Sequence, residues 1–161
     1  PEMKRTLSVL MVLALASFVF SETKAPDLSG TWVLDETQEY TPTRLTLVKV
    51  DVEQTADSLK LTRHYRDPRN EMMTLPEVLP FDGSAFHMEY KGIPRKSSIV
   101  SSAEKDAVVI EIVITMTRNN ETRKGITLET WERDNDTLTL TRVSPSIPDD
   151  KPLVYVYNRE K

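Results

Sequence analysis

The chain has 161 residues, a formal net charge of −4 and no cysteine, which leaves room for one domain with a modest core. The absence of cysteine excludes disulfides, thiolate metal sites and a cysteine nucleophile. Acidic and basic residues are interspersed without a basic block. Nucleic acid is therefore not expected as a partner, because its binding draws on a positive surface.

The first 21 residues have the layout of a secretory signal peptide. Lys4 and Arg5 form a short positive region, and residues 7–20 are almost entirely apolar. Small residues then permit cleavage after Ala16 or after Ser21. The apolar run is shorter than the roughly 20 residues that span a bilayer, so no stable membrane insertion is expected after cleavage.

The rest of the chain is predicted to be a leader followed by one domain. Residues 1–2 precede the apparent initiator Met3 and are interpreted as a cloning or gene-calling remnant. Residues 22–27 are expected to be a flexible leader, and residues 28–161 to form the domain. An exported domain without disulfides favours a bacterial periplasmic or secreted location.

Alternation of apolar and polar residues predicts β-strands throughout the domain. Leu59 and Leu61 alternate with polar neighbours, while Ile110, Ile112 and Ile114 share one side of another strand. Sustained helical periodicity occurs nowhere. The predicted strands are 29–35, 44–54, 58–66, 86–91, 97–102, 107–118, 124–133, 137–143 and 152–158.

Two similar segments of the sequence indicate how these strands are connected. Residues 57–63 and 136–142 both begin with aspartate and continue as leucines alternating with polar residues, which is typical of hairpins. Two proline-bearing stretches, 67–80 and 144–152, are interpreted as loops because proline cannot donate to a ladder. The predicted fold is all-β, a single antiparallel meander closed into a barrel of about eight to nine strands, since closure removes exposed edges.

The segment Leu28-Ser29-Gly30-Thr31-Trp32 resembles the first strand of lipocalin-like, or calycin, barrels. The chain is similar to a bacterial family of exported lipocalin-like domains from about Leu28 to Arg142. The matching pieces are Val52-Glu53-Gln54, Leu59-Lys60-Leu61-Thr62-Arg63, Phe81-Asp82-Gly83, Glu129-Thr130-Trp131-Glu132-Arg133 and Leu138-Thr139-Leu140-Thr141. The resemblance implies a barrel with an apolar cavity and a structural role for Gly30 and Trp32. It also implies an arginine stacked on the Trp32 indole, either Arg142 or Arg159.

No catalytic residue, metal ligand or cofactor is predicted. The two histidines, His64 and His87, have no partner at metal-ligand spacing, and they are interpreted as exposed or rim residues. The chain contains no Gly-x-Ser-x-Gly motif, and its four glycines build no phosphate-binding loop. An enzyme remains the minor alternative.

The aromatic residues give the main functional hypothesis. Tyr65, Phe86, Tyr90 and Trp131 fall near loops or strand ends, where aromatic rings line the mouth of a ligand cavity. The leading hypothesis is a binding module for a small hydrophobic or amphipathic ligand. In the alternative, the aromatics fill a small barrel, which acts as a protein-interaction or structural domain without a small-molecule ligand.

Overall fold

A computed structural model describes residues 25–101 and 107–161 of the chain. The predicted signal peptide and residues 22–24 of the leader lie outside this part. The described residues form ten strands and contain no helix that could span a membrane. The strands are β1 (Gly30–Leu34), β2 (Thr46–Gln54), β3 (Ser58–Arg66), β4 (Met72–Pro80), β5 (Phe86–Tyr90), β6 (Ile93–Ser101), β7 (Ala107–Arg118), β8 (Glu121–Asp134), β9 (Thr137–Val143) and β10 (Leu153–Arg159).

The strands form one antiparallel sheet that curls into a nearly closed barrel. Each strand pairs with the next strand in the chain, except that β4 does not pair with β5. In addition, the first strand, β1, pairs with the last strand, β10. Trp32 on β1 lies opposite Arg159 on β10. The all-β antiparallel prediction is confirmed, but the barrel has ten strands rather than eight or nine.

The predicted loop at residues 67–80 is wrong, because Met72–Pro80 is strand β4. Pro76 lies within this strand, opposite Thr62 of β3. Strand β4 pairs with β3 alone and is therefore an edge strand, the position in a sheet where proline is tolerated. The second proline-bearing stretch, 144–152, contains turns and no strand, as predicted.

Tight hairpins set the register on the side of the barrel formed by β5–β8. Asn119 and Asn120, between β7 and β8, have φ angles of 52° and 64°. Lys91 and Gly92, between β5 and β6, have φ angles of 50° and 76°. Two consecutive positive φ angles define a turn whose twist matches that of the flanking strands, so both hairpins close with two-residue connections.

One end of the barrel is filled around Trp32. Its side chain is fully buried, and the indole Nε1 donates to the Leu28 carbonyl oxygen at 2.9 Å. Arg159 lies 5.7 Å from the ring centroid, and Arg133 lies at the same distance. Of the two predicted alternatives, Arg159 is thus the arginine on the indole, with Arg133 as a second one that the sequence did not reveal.

Gly30 is required by the approach of Arg159. The glycine has a φ of +139°, and a Cβ placed on it would lie 3.1 Å from Arg159 Nε. Arg159 Nη2 also donates to the Ser29 carbonyl oxygen at 3.1 Å. The Gly-x-Trp segment therefore packs against Arg159 and fills this end of the barrel.

Candidate functional site

The barrel end opposite Trp32 holds a cavity of about 660 Å³. Its mouth lies among the connections before β2, between β3 and β4, and between β5 and β6. The wall is largely aliphatic, and the residues that contribute to this surface include Leu45, Met73, Leu75, Ile112, Ile114 and Met116. The cavity therefore offers an apolar surface to a molecule that enters from one end.

Two of the four predicted ligand-binding aromatics belong to this wall. Tyr65, at the end of β3, and Tyr90, at the end of β5, both line the cavity. Trp131 is fully buried in the core, and Phe86 packs against that core; neither is among the lining residues. The structure thus brings Tyr65 and Tyr90 together and places Trp131 beneath them.

A buried ionic network separates the cavity from the filled half of the barrel. At its centre is Arg63 of β3, whose Nε donates to Glu77 at 2.7 Å and whose Nη1 donates to Glu129 at 2.7 Å. The side chains of all three residues are fully buried. A buried charge is tolerated only when it is paired and hydrogen-bonded, and each carboxylate here has further donors.

Arg95 and Arg142 extend the network to the cavity floor. Arg95 of β6 donates to Glu77 Oε1 through Nε at 2.9 Å, and Arg142 of β9 donates to Glu129 Oε1 at 2.8 Å. Arg95, Glu129 and Arg142 all line the cavity. The floor beneath the apolar wall is thus formed by guanidinium and carboxylate groups.

Neutral groups complete the hydrogen bonding of the two carboxylates. The Ser97 hydroxyl donates to Glu77 Oε1 at 2.9 Å, and the indole Nε1 of Trp131 donates to Glu129 Oε2 at 3.2 Å. The Arg63 guanidinium also lies 5.1 Å from the centroid of the Trp131 ring, within the range of a cation–π contact. Trp131 therefore supports the network rather than the cavity wall.

Both glutamates are held in the ionised form. Burial on its own raises the pKa of Glu129, but the guanidinium groups of Arg63 and Arg142 outweigh it and lower that pKa to about 2. The pKa of Glu77 is lowered in the same way, with burial opposed by Arg63 and Arg95. At neutral pH these carboxylates are acceptors for the arginines and not proton donors.

Glu77 also makes side-chain contacts across the gap between β4 and β5, where no backbone hydrogen bonds close the barrel. It lies on β4, while its partners Arg95 and Ser97 lie on β6. No ladder joins β4 to β5 among the described strands. The Glu77 side chain therefore supplies polar contacts across the gap that the backbone does not.

The two histidines lie outside the cavity. His64 is on the outer side of β3, where its Nε2 is 2.8 Å from Asp51 Oδ2 and its Nδ1 is 3.3 Å from the Thr74 hydroxyl. His87 is exposed on β5. Within residues 25–101 and 107–161, no three His, Cys, Asp or Glu side chains cluster as metal ligands would.

Sequence reasoning missed the five charged residues of the network. Arg63 continues the inward alternation of Leu59 and Leu61, and Arg142 continues that of Leu138 and Leu140. The sequence did contain a signal for these residues: a charged residue that falls in phase with the apolar side of a strand is predicted to be buried. The predicted core faces were right, but their charged members were not read as part of the interior.

Comparisons with known proteins do not assign the chain to a family. No protein-family model matches the chain, and no curated protein matches it. Among solved structures, a crystal structure of a mutant of the fluorescent protein UnaG is similar, at 16% sequence identity and a TM-score of 0.46. That match covers 82% of this chain and 95% of the other. The fold assignment therefore rests on the strand pairing observed in this protein.

Proposed function

We propose that this protein is a binding module that holds a small amphipathic ligand in the cavity at the open end of the barrel. The observation that carries the proposal is a cavity of about 660 Å³ with aliphatic walls and a charged floor. Ligand cavities of roughly 300–1,000 Å³ with few polar groups are typical of small-molecule sites. The apolar body of the ligand lies against the walls, and its polar end lies at the floor.

The charged floor favours a ligand over a purely structural barrel. Removing charges from water is costly, and well-packed apolar residues often replace a buried ion pair without loss of stability. A barrel selected only for a solid core has no need of Arg63, Glu77 and Glu129 in its interior. Their position directly beneath the cavity supports a role in receiving a polar group.

The same network favours binding over catalysis. A general acid or base works best with a pKa near the operating pH. The pKa of Glu129 is about 2, lowered against the effect of burial by Arg63 and Arg142, and that of Glu77 is also lowered. These carboxylates suit fixed hydrogen-bond acceptors, and they position the arginines that face the cavity.

The proposal includes a location outside the cytoplasm, in the periplasm or the medium. It is supported by the positive region at Lys4 and Arg5 and the apolar run that follows. Expression of the whole sequence followed by cell fractionation and intact-mass measurement tests this. We expect a processed chain beginning after Ala16 or Ser21; an unprocessed chain in the cytosol would contradict the proposal.

Ligand binding is tested with a neutral environment-sensitive dye, Nile red. Ile114 lines the cavity, whereas its neighbour Val113 lies on the outer face of β7 beside a second depression of about 560 Å³. We expect saturable fluorescence enhancement with the native protein, lost in Ile114→Trp because the indole fills the cavity, and kept in Val113→Trp. If fluorescence enhancement were lost only in Val113→Trp, the dye would bind in the second depression on the outer face. If the native protein gave no enhancement, the proposal would be rejected.

A further inference from the structure

The buried network contains more positive than negative charge. Three guanidinium groups, those of Arg63, Arg95 and Arg142, are paired with only two carboxylates, those of Glu77 and Glu129. One positive charge is therefore left without a carboxylate among the described residues of the network. A buried ion without a counter-charge is costly, so a ligand that supplies one negative charge would complete the set.

Two buried donors in the same network have no acceptor. Arg63 Nη2 and Arg142 Nε are buried and have no hydrogen-bond partner within the described part of the chain. Each such group carries the full cost of losing water. Arg142 lines the cavity with its side chain about four-fifths buried, so the guanidinium that carries one of these donors lies beside the space where a ligand would end.

The mouth of the cavity has the same sign as its floor. Arg44, Arg69 and Lys91 line the rim, with Asp67 as the acidic group among the lining residues there. Asp67 Oδ1 already accepts hydrogen bonds from the backbone amides of Arg69 and Glu71. A cluster of one sign at the entrance raises the local concentration of ligands of the opposite sign.

We infer that the ligand is a monoanionic amphipath whose carboxylate is received at the cavity floor by Arg142 and Arg95, with its apolar body between Ile112, Ile114 and Leu75. This rests on the proposed function and adds the charge of the ligand. One negative charge matches the single uncompensated guanidinium. Once that charge is bound, the network is neutral, so a second negative charge at the floor would meet the repulsion of Glu129 without a guanidinium left to offset it.

The test is competition against bound Nile red with three submicellar twelve-carbon probes: dodecanoate, 1-dodecanol and dodecylammonium. A hydrogen bond between charged groups contributes enough to change affinity about tenfold. We expect dodecanoate to displace the dye at about tenfold lower concentration than dodecanol, with dodecylammonium the weakest. Equal displacement by dodecanoate and dodecanol from a protein that binds the dye would overturn the inference and leave the proposed function standing.

Variants then show which arginines cause the preference for dodecanoate. In Arg142→Gln and in Arg95→Gln we expect the preference for dodecanoate over dodecanol to fall to about threefold or less. Arg123→Gln removes the same charge from an exposed position on β8 and should keep the full preference. Dye binding by each variant reports that the cavity is intact. An undiminished preference in both Arg142→Gln and Arg95→Gln would also overturn the inference.

Discussion

Arg63 Nη1 lies 2.7 Å from Glu129 Oε2, with both side chains fully buried, although the strands that carry them do not pair. Arg63 is on β3 and Glu129 is on β8, and four strands separate β3 from β8 in the sheet. The ion pair therefore crosses the interior of the barrel. It joins opposite walls at the level where the filled core ends and the cavity begins.

Removing Arg63 should destabilise the protein strongly. Arg63→Met leaves Glu77 and Glu129 each without one guanidinium partner in a buried setting, and breaking a buried pair in this way costs about 3–5 kcal/mol. We expect a loss of this size in the free energy of unfolding, measured by urea denaturation with far-ultraviolet circular dichroism.

The matched control for Arg63→Met is Lys60→Met on the same strand. Lys60 pairs with Glu53 at 3.2 Å, and both side chains are more than half exposed. Exposed pairs contribute about 1 kcal/mol or less, so little change is expected. A loss below about 1 kcal/mol in Arg63→Met would mean that water or a rearrangement replaces the guanidinium.

The stability of the protein should fall as the pH drops from about 4.5 towards 2. The pKa of Glu129 is lowered from 4.5 to about 2, against the effect of burial, by Arg63 and Arg142. A group whose pKa is lowered on folding contributes stability above its unfolded pKa and loses that contribution as protons bind. The shift corresponds to about 3 kcal/mol at neutral pH.

Urea unfolding at pH 7, 5, 4 and 3 measures this dependence. In Glu129→Gln the group no longer titrates, so the decrease in unfolding free energy below pH 5 should be shallower than in the native protein. Glu132→Gln, an exposed position on the same strand, should keep the native slope. Parallel curves for the native protein and Glu129→Gln would show that Glu129 is not the titrating group.

Glu77 should control opening of the barrel between β4 and β5. Glu77→Gln removes the charge that pairs with Arg95 across the gap and with Arg63 on the neighbouring strand β3, and no backbone ladder joins β4 to β5. We expect faster amide hydrogen exchange in β4, β5 and the start of β6, because local opening there requires fewer broken interactions. Exchange in β9 and β10, which are paired with each other over six residues, should change little; a uniform acceleration would instead indicate global destabilisation.

A side chain at position 30 should lower the stability of the protein, whereas a side chain at position 125 should not. At φ +139°, alanine is strained at position 30, and its Cβ would also meet Arg159, so Gly30→Ala should cost about 1–3 kcal/mol. Gly125 has open space around a Cβ, and Gly125→Ala should be neutral or slightly stabilising. Thermal unfolding of both variants checks this, and the double change Gly30→Ala with Arg159→Ala separates backbone strain from the clash.

Three strands were predicted with the bounds that the structure shows. The predicted ranges 58–66, 107–118 and 137–143 agree with β3, β7 and β9, because aliphatic residues recur at every second position in each. Strand β4 was missed because Pro68, Pro76 and Pro80 dominated the prediction for that stretch. Whether a proline is compatible with a strand depends on its place in the sheet, and edge position is not written in the local sequence.

The cavity residues show the same division between local and long-range information. The rings of Tyr65 and Tyr90 were predicted near strand ends and do lie in the cavity wall. Trp131 was predicted on the same grounds, yet it is fully buried beneath the network. The sequence places Trp131 near the end of a strand, but strand pairing decides which end of the barrel that is: Trp131 lies beyond Glu129 towards the filled end.

The sequence by itself determined that the domain is an antiparallel meander and which of its aliphatic residues face inward. It did so because alternation and tight turns are local properties of the chain. The tertiary structure decided that Arg63 meets Glu77 and Glu129, which are 14 and 66 residues away. The contact with Glu77 depends on the pairing of β4 with β3, and the contact with Glu129 depends on closure of the barrel. The same closure leaves one end filled around Trp32 and the other end open above a charged floor.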